Sequence, residues 1–491
     1  PADAGRATRE EITTQLQTYS AHPAVPLTGQ RGESFLASID PSPTIQSPPM
    51  NKTQLSRRHF LQTTALTAVV APTIVPSSVL GRAKVAPSNR LTVGLIGCGG
   101  RGTGVMNSFL SQSDAQVVGV CDPYKTHFRD NKAGRAFGWK PASEMVGRKY
   151  KTKPCSHYTD YRELCARKDL DIIIVGTPDH WHAVQTLEAL HNGKDVYCEK
   201  PVTHFFAEGQ AVYREVAKRK GVFQTGSQQR SDARFKLAVE IVRNGHLGKV
   251  KEALVGLPKG HMKDFGDTTE NDYSKRADYQ LWSGPAPLLP YTFSRQHRNW
   301  RWHLAYGGGQ LMDWIGHHND ICHWALGEDH GGPTRVEARN FSKTQAKTYN
   351  APPHYEVHCE YASGIRTSIG SHNTMGMKVI GEKGWVYVTR GKITASNPEW
   401  LNKDFNPGKF KAYNSPNHTR NFLDCVKSRK ETICPAQTAH RSITPGHLGF
   451  VSNALGRALK WDAKQEQIIG DTEADKLLKK MHHRKPWSLN S

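Results

Sequence analysis

The chain has 491 residues, 37% of them hydrophobic, and a formal charge of +22, enough for two ordinary domains plus extra segments. Its Lys and Arg residues are scattered, as in Arg148-Lys149-Tyr150-Lys151 and Lys218-Arg219-Lys220, and no nucleic-acid-binding signature accompanies them, so the charge reads as solvated surface. Nine cysteines without a C-x-x-C pair give no disulfide framework, and Cys98, Cys121 and Cys198 fall at predicted strand ends, where small buried thiols are expected.

Residues 1–49 are rich in Ser, Thr, Pro and Gln without apolar periodicity and read as disordered. Ser56-Arg57-Arg58-His59-Phe60-Leu61 then forms a twin-arginine pattern, followed by an apolar stretch, Ala65 to Val75, interrupted by Pro72. That stretch is too short to span a bilayer but suits the middle of an export signal. Residues 50–88 are therefore expected to be a signal and linker, with translation starting at Met50 and the protein exported to the periplasm or another extracytoplasmic space. The twin-arginine route carries folded proteins, often already loaded with a cofactor.

From Asn89 to about residue 205 strands and helices alternate. Strands are predicted at Leu91–Ile96, Val117–Cys121, Ile172–Val175 and Asp195–Cys198. Helices are predicted at Thr103–Gln112, around Tyr161–Arg167, and at Trp181–His191, the last stopped by Asn192-Gly193. Near-continuously apolar strands joined by helices imply an α/β fold with a doubly wound parallel sheet. Further on, a helix is expected over Ser231–Asn244 and a strand over Lys249–Leu257. The short, partly alternating runs Thr334–Phe341, Glu356–Tyr361, Arg366–Ser371, Met377–Gly381 and Gly384–Thr389 then predict a large, mainly antiparallel sheet. Late helices are expected at Asn417–Ser428 and Ile443–Leu459. Two domains follow, 89–205 and 206–478, with a tail from 479 and the active cleft between the domains.

Gly97-Cys98-Gly99-Gly100-Arg101-Gly102 sits between the first strand and the first helix, and Asp122 ends the second strand 20 residues after Gly102. This is the dinucleotide-binding order. Gly97 permits the turn, Gly99 lets backbone approach a pyrophosphate, and Gly102 lets helix pack on strand. Free N–H groups at the helix start suit the phosphates. Asp122 suits the ribose hydroxyls, which favours NAD over NADP.

Glu199-Lys200-Pro201 directly follows the strand Asp195–Cys198, at the sheet end where such folds bind ligand. Lys200 there can exchange a proton with a substrate hydroxyl. The glycine run Gly307-Gly308-Gly309 leads into a helical segment on which Asp313 and His317, four residues apart, share a face. The carboxylate can set the tautomer of an acid–base imidazole. A zinc site built on Asp313, His317 and His323 is the minority reading, since no closed ligand set is evident. Trp300, Arg301, Trp302 and Tyr306, with Trp181 and His182, suit a sugar pocket or an interdomain core.

These motifs together resemble the Gfo/Idh/MocA family, that is glucose–fructose oxidoreductase, inositol dehydrogenase and their relatives. The resemblance rests on Gly97, Gly99 and Gly102, on Thr177-Pro178-Asp179-His180, on Glu199-Lys200-Pro201, and on the D-x-x-x-H of Asp313 and His317, and it covers about residues 89–478. It departs in one place: Gly316 follows Asp313 by three residues where two is usual. The resemblance implies a Rossmann domain, a C-terminal α/β domain with a broad open sheet, and a dimer or tetramer formed through that sheet. It implies Lys200, Asp313 and His317 as the catalytic set. Gly97, Gly99, Gly100, Arg101, Gly102, Asp122, Thr177, Pro178, His180, Glu199 and Lys200 are expected around the cofactor, and His182, Arg301 and His318 around the substrate. No metal is expected. The expected activity is hydride transfer from a sugar, polyol or glycoside to a tightly held NAD, with His317, aided by Lys200, taking the hydroxyl proton. Two rivals stand beside it: a redox-neutral glycosidase, lyase or epimerase using transient oxidation, and a non-catalytic nucleotide-loaded sugar-binding protein.

Overall fold

The computed structural model describes residues 89–129, 134–272 and 277–489; the segment expected to be disordered, 1–49, and the twin-arginine signal, 50–88, lie outside them. Strands β1 (Leu91–Ile96), β2 (Ala115–Cys121), β3 (Ser156–Tyr158), β4 (Ile172–Val175), β5 (Asp195–Cys198) and β6 (Phe223–Thr225) form one sheet in the order β3-β2-β1-β4-β5-β6, every pair parallel. Every residue of β4 and β5 is buried, as strands covered on both faces require. This sheet reaches past the expected boundary near 205, because β6 completes it.

Helix α1 (Gly100–Leu110) begins three residues before the expected Thr103, with Gly99 as its N-cap. Helix α2 (Trp139–Tyr150) was not expected at all; its Pro141 lies in the first turn, where a missing N–H costs the helix nothing. Helix α3 (Asp179–His191) starts directly after Thr177-Pro178, and α4 (Phe206–Arg219) follows β5.

The second sheet is built from β7 (Val250–Gly256), β8 (Arg335–Arg339), β9 (Glu356–Glu360), β10 (Arg366–Gly370), β11 (Gly376–Gly381), β12 (Gly384–Thr389), β13 (Lys392–Ala395), β14 (Leu459–Asp462) and β15 (Gln467–Ile468). Its order is β13-β12-β11-β7-β10-β9-β8-β14-β15, antiparallel except where β10 runs beside β7. The long helices α5 (Gly309–Leu326) and α6 (Ala436–Leu455) pack against each other and against this sheet. The sequence placed this helix at Ile443–Leu459, whereas it begins seven residues earlier, at Ala436. Pro445 sits mid-helix, and Gly456 in the left-handed region ends it, so that Leu459 opens β14.

Leu311, Ile315, Ile321 and Ala325 on α5 are each at most 1% exposed. Burying aliphatic side chains of the larger kind stabilises by about 1.5–3 kcal/mol apiece. Asp320, on the same helix, forms a fully buried ion pair with Arg230 at 2.7 Å, and Arg230 also reaches Asp329. Among the described residues no helix is long and apolar enough to cross a membrane.

Candidate active site

The carboxyl ends of β1, β2, β4 and β5 open into a cleft of about 820 Å³, closed on its far side by residues 297–302 and the start of α5. Its lining includes Gly97, Gly99, Gly100, Arg101, Asp122, Thr177, Pro178, Glu199, Lys200, Arg301 and Asp313, so motifs from both halves of the chain converge on one space. A larger recess of about 1420 Å³, behind Gly308 and Met312, holds none of these side chains.

The three motif glycines differ in what they permit. Gly97 has φ +90°, and a Cβ there would stand 2.7 Å from the Thr177 nitrogen. A Cβ on Gly102 would lie 1.9 Å from the Gly97 oxygen, so only glycine lets α1 pack on β1. A Cβ on Gly99 would meet nothing within 4 Å and would project into open space beside the cleft. That is the cradle a pyrophosphate needs at the start of α1.

Asp122 accepts from the backbone N–H of Cys98 at 2.8 Å and of Tyr124 at 2.9 Å, which aims the carboxyl along the cleft. Burial pushes its pKa up to about 6 against those two hydrogen bonds. The residues present therefore fit a dinucleotide: a glycine cradle for phosphate and a carboxyl for ribose, in one continuous groove.

At the other end, Lys200 Nζ donates to Asp313 Oδ1 at 2.7 Å and to the Asp313 carbonyl at 2.8 Å. Arg301 Nε reaches the same Oδ1 at 3.2 Å while its guanidinium lies 4.4 Å over the Trp300 ring. Burial raises the Asp313 pKa, but the two cations outweigh it and hold the carboxyl at about 2. Gly316 faces Lys200 across the packing: a Cβ there would sit 3.5 Å from the Lys200 Cβ, an ordinary contact. Glu199 turns to the glycine loop, pairing with Arg101 at 2.7 Å, and Gln228 donates to it at 3.2 Å.

Four expected residues stand elsewhere. Asp313 was expected to orient His317; instead the stronger cations take the carboxylate. His317 lies one turn further along α5, outside the cleft lining, edge-on to Trp314, with no partner for Nδ1 among the described residues. Burial, then Lys200 and Arg390, push its pKa well below the usual histidine range, so the ring is neutral. His180 is not a cofactor contact: its ring nitrogens face the carbonyls of Tyr306 and Trp282 at 3.2 and 3.1 Å. His182 is not a substrate contact: its ring bridges the Pro201 and Thr177 carbonyls at 2.7 and 3.0 Å, bracing the two loops that flank the cleft. His318 donates Nδ1 to the Gly256 carbonyl at 2.7 Å and is fully buried. His323 bonds the Tyr361 hydroxyl, and among the described residues no group of His, Cys, Asp or Glu could hold a metal, so the zinc reading falls.

The sequence reading missed Asp179 and Arg390. Asp179, at the start of α3, lines the cleft and was legible from its place after Thr177-Pro178. Arg390, in the turn between β12 and β13, stacks 4.7 Å over Trp314 and lies within electrostatic reach of Arg101, Asp313 and Glu199; no local motif marks it.

Two family descriptions match the chain: "Oxidoreductase family, NAD-binding Rossmann fold" over residues 91–227 and "Oxidoreductase family, C-terminal alpha/beta domain" over 239–489. A glycosyl hydrolase family 109 protein of Shewanella sp. (strain ANA-3) is 28% identical over 166 residues, 30% of this chain and 34% of that protein. One from Streptomyces niveus is 30% identical over 190 residues, 39% and 36% of the two chains. The alignments thus span about a third of these curated relatives (34% and 36%). Among solved structures, the WlbA dehydrogenase from Bordetella pertussis, in complex with NADH and UDP-GlcNAcA, superposes with a TM-score of 0.53 at 17% identity over 76% of this chain and 99% of that one. The aldose-aldose oxidoreductase from Caulobacter crescentus, complexed with glycerol, gives 0.54 at 18% identity over 76% and 99%. At such identities these two structures share the fold. With both halves matched in order, and the glycine cradle meeting Lys200 and Asp313 in one cleft, the chain belongs to the Gfo/Idh/MocA oxidoreductase family, with its NAD-binding Rossmann domain and C-terminal α/β domain.

Proposed function

We propose that the protein oxidises a hydroxyl-bearing carbon of a sugar, polyol or glycoside with a tightly held NAD. The observation that carries this reading is the Lys200–Asp313 contact at the floor of the cleft that also holds the glycine cradle and Asp122. When bound, the nicotinamide supplies a two-electron acceptor. Lys200 meets the substrate hydroxyl and, as it gives its own proton to solvent, takes the hydroxyl proton; Asp313, held as an anion by Lys200 and Arg301, fixes the Lys200 amine in place. Arg301, stacked on Trp300, presents guanidinium N–H groups to sugar oxygens beside that aromatic face. His182 braces the backbone on either side of Lys200. Asp122 favours NAD, because its carboxyl would repel a 2′-phosphate. Association through the broad sheet and export by the twin-arginine route belong to the same reading, the second on the Ser56–Leu61 pattern.

A redox-neutral glycosidase, in which oxidation is transient, is the second reading, favoured by the family 109 relatives. One experiment separates the two. The full chain, loaded with NAD, is mixed with a panel of aldoses, polyols, uronic acids and glycosides, and cofactor absorbance and products are followed together. Net reduction by one compound supports the dehydrogenase, and product without net reduction supports the glycosidase. Absence of both across the panel would refute the shared reading.

A further inference from the structure

The recess of about 1420 Å³ has no place in the chemistry so far. It lies across the first turn of α5 from the cleft: Met312 lines the recess, while the next residue, Asp313, lines the cleft. Two glycines seat Met312 as the wall between these spaces. A Cβ on Gly308 would collide with Met312 Cγ, and one on Gly446 would stand 2.6 Å from its Sδ. The C-terminal half of α6 forms one side of the recess and residues 337–350 form another. Asp264 fixes that second side by accepting from the N–H groups of Lys347 and Thr348 at 2.6 and 3.0 Å.

The lining is strongly basic. Arg295, Arg339, Lys343, Lys347, Arg457 and Lys480 share it with a single acid, Glu337, which Arg335 and Arg339 already hold at 3.1 and 3.0 Å. Among the described residues no acid pairs with Lys347 or Lys480, and both side chains are exposed. Buried nitrogens without hydrogen-bond partners converge on the same space. Arg295, 6% exposed, spends Nη2 on the Pro290 carbonyl and Glu270, but its Nε finds no partner among the described residues. Neither does Nε2 of His447, 8% exposed, nor His204 Nδ1, nor His482 Nε2. Buried polar groups are ordinarily paired, so four such nitrogens lining one recess call for a ligand rich in oxygen.

Burial pushes the pKa values of His204, His303 and His447 down to about 3, so these rings are neutral, each with one N–H and one accepting nitrogen. Half-buried Phe341 and Phe450, edge-on at 5.8 Å, add apolar faces to the lining. Each feature suits a different part of one ligand. Carboxylates suit the cations. Hydroxyls suit neutral imidazoles, since both donate and accept, and the C–H face of a pyranose suits a phenyl ring. An acidic peptide would match the cations and leave the imidazoles without hydroxyls. We propose that this recess is a second carbohydrate site, which binds an acidic oligosaccharide through its uronate carboxylates, apart from the oxidation cleft. The site needs neither NAD nor Lys200, so its test does not depend on the oxidation reading.

The test is calorimetry on the full chain with a short galacturonic acid oligomer as the probe. The oligomer should bind. Its methyl ester, the same sugars without charge, and a polyglutamate of equal charge should each bind at least about tenfold more weakly, the weight of one lost charged hydrogen bond. Lys347→Glu with Lys480→Glu reverses two exposed charges, and should cost at least about tenfold in affinity and flatten its dependence on salt. His447→Phe keeps a ring against Phe206 and removes the unpartnered nitrogen; it should weaken binding and leave the salt dependence unchanged. Lys200→Met, on the other side of the wall, should leave affinity within about twofold. The proposal is overturned by absence of binding, by equal binding of the ester or the polyglutamate, by full affinity in both recess variants, or by loss of binding in Lys200→Met, which would put the oligomer in the cleft. A wild type that binds no oligomer and sediments as an assembly that the double reversal splits would also overturn it, making the recess a contact between copies of the chain.

Discussion

Lys200 donates to both the side-chain and the main-chain oxygen of Asp313, at 2.7 and 2.8 Å, and so ties the loop after β5 to the helix α5 of the second half. Both side chains are nearly buried, at 11% and 13% exposure, so the pair is shielded from solvent screening.

The first prediction concerns that pair. Lys200→Met keeps most of the side-chain volume and removes the amine. NAD binding, measured by quenching of tryptophan fluorescence, should persist, while kcat should fall by about 10²–10⁴-fold, the usual weight of a general acid–base group. Asp313→Asn should lower kcat through misplacement of Lys200. Arg301 would then lack its carboxylate, and affinity for an uncharged sugar should fall as well.

A second prediction uses pH. The buried Asp122 carboxyl titrates at about 6. Ribose hydroxyls donate to the anion, so NAD binds the deprotonated form better and binding lowers that pKa. NAD affinity measured by calorimetry should therefore strengthen as pH rises from about 5 to about 7 and level off above. Asp122→Asn should abolish this pH dependence and weaken binding above pH 6. For the apo protein the sign is opposite. A carboxyl raised above its unfolded value contributes stability below about pH 4, and this is lost as pH rises through about 6.

The glycines give a third, paired prediction. Gly102→Ala forces a Cβ to within 1.9 Å of the Gly97 oxygen, backbone against backbone, so α1 must shift. Overpacking of this kind costs about 1–3 kcal/mol or more, visible as a lower Tm, and it should remove NAD binding too. Gly99→Ala meets no atom within 4 Å, so Tm should hold while NAD affinity falls.

What the sequence showed, and what it hid, follows from where each signal lies. The β–turn–α order around Gly97, the Lys200 loop and the start of α5 are local patterns, and residues of all three line one cleft. Partner choice is not local. Spacing put Asp313 and His317 on one face, but the carboxylate bonds the cations that tertiary packing brings to it from residues 200 and 301. The sequence reading put His180 by the cofactor and His182 and His318 by the substrate; the ring of each instead faces backbone carbonyls in the packed interior. Arg390 and Trp487 reach the site region from distant turns and the tail, which no window of sequence reveals. Trp487 lines the cleft and meets Trp181 edge-on at 5.0 Å.

A fourth prediction separates scaffold from chemistry. Asp320, on the same helical face as Asp313, serves Arg230 in the core, with side-chain exposures of 0% and 2%. Asp320→Ala leaves that guanidinium short of a buried partner, with Asp329 still in contact, and should cost about 3–5 kcal/mol by denaturant titration. The double replacement Asp320→Leu with Arg230→Met should recover part of that loss.

The central claim is that a dinucleotide lies along the first sheet with its reactive ring at the Lys200 amine. A crystal structure of the full chain grown with NADH tests it most directly. The account predicts the pyrophosphate against Gly99 and Gly100, the adenosine ribose on Asp122, and the nicotinamide ring in contact with Lys200, within about 4 Å. Nucleotide bound outside this groove, or a ring with Lys200 pointing away from it, would contradict the account.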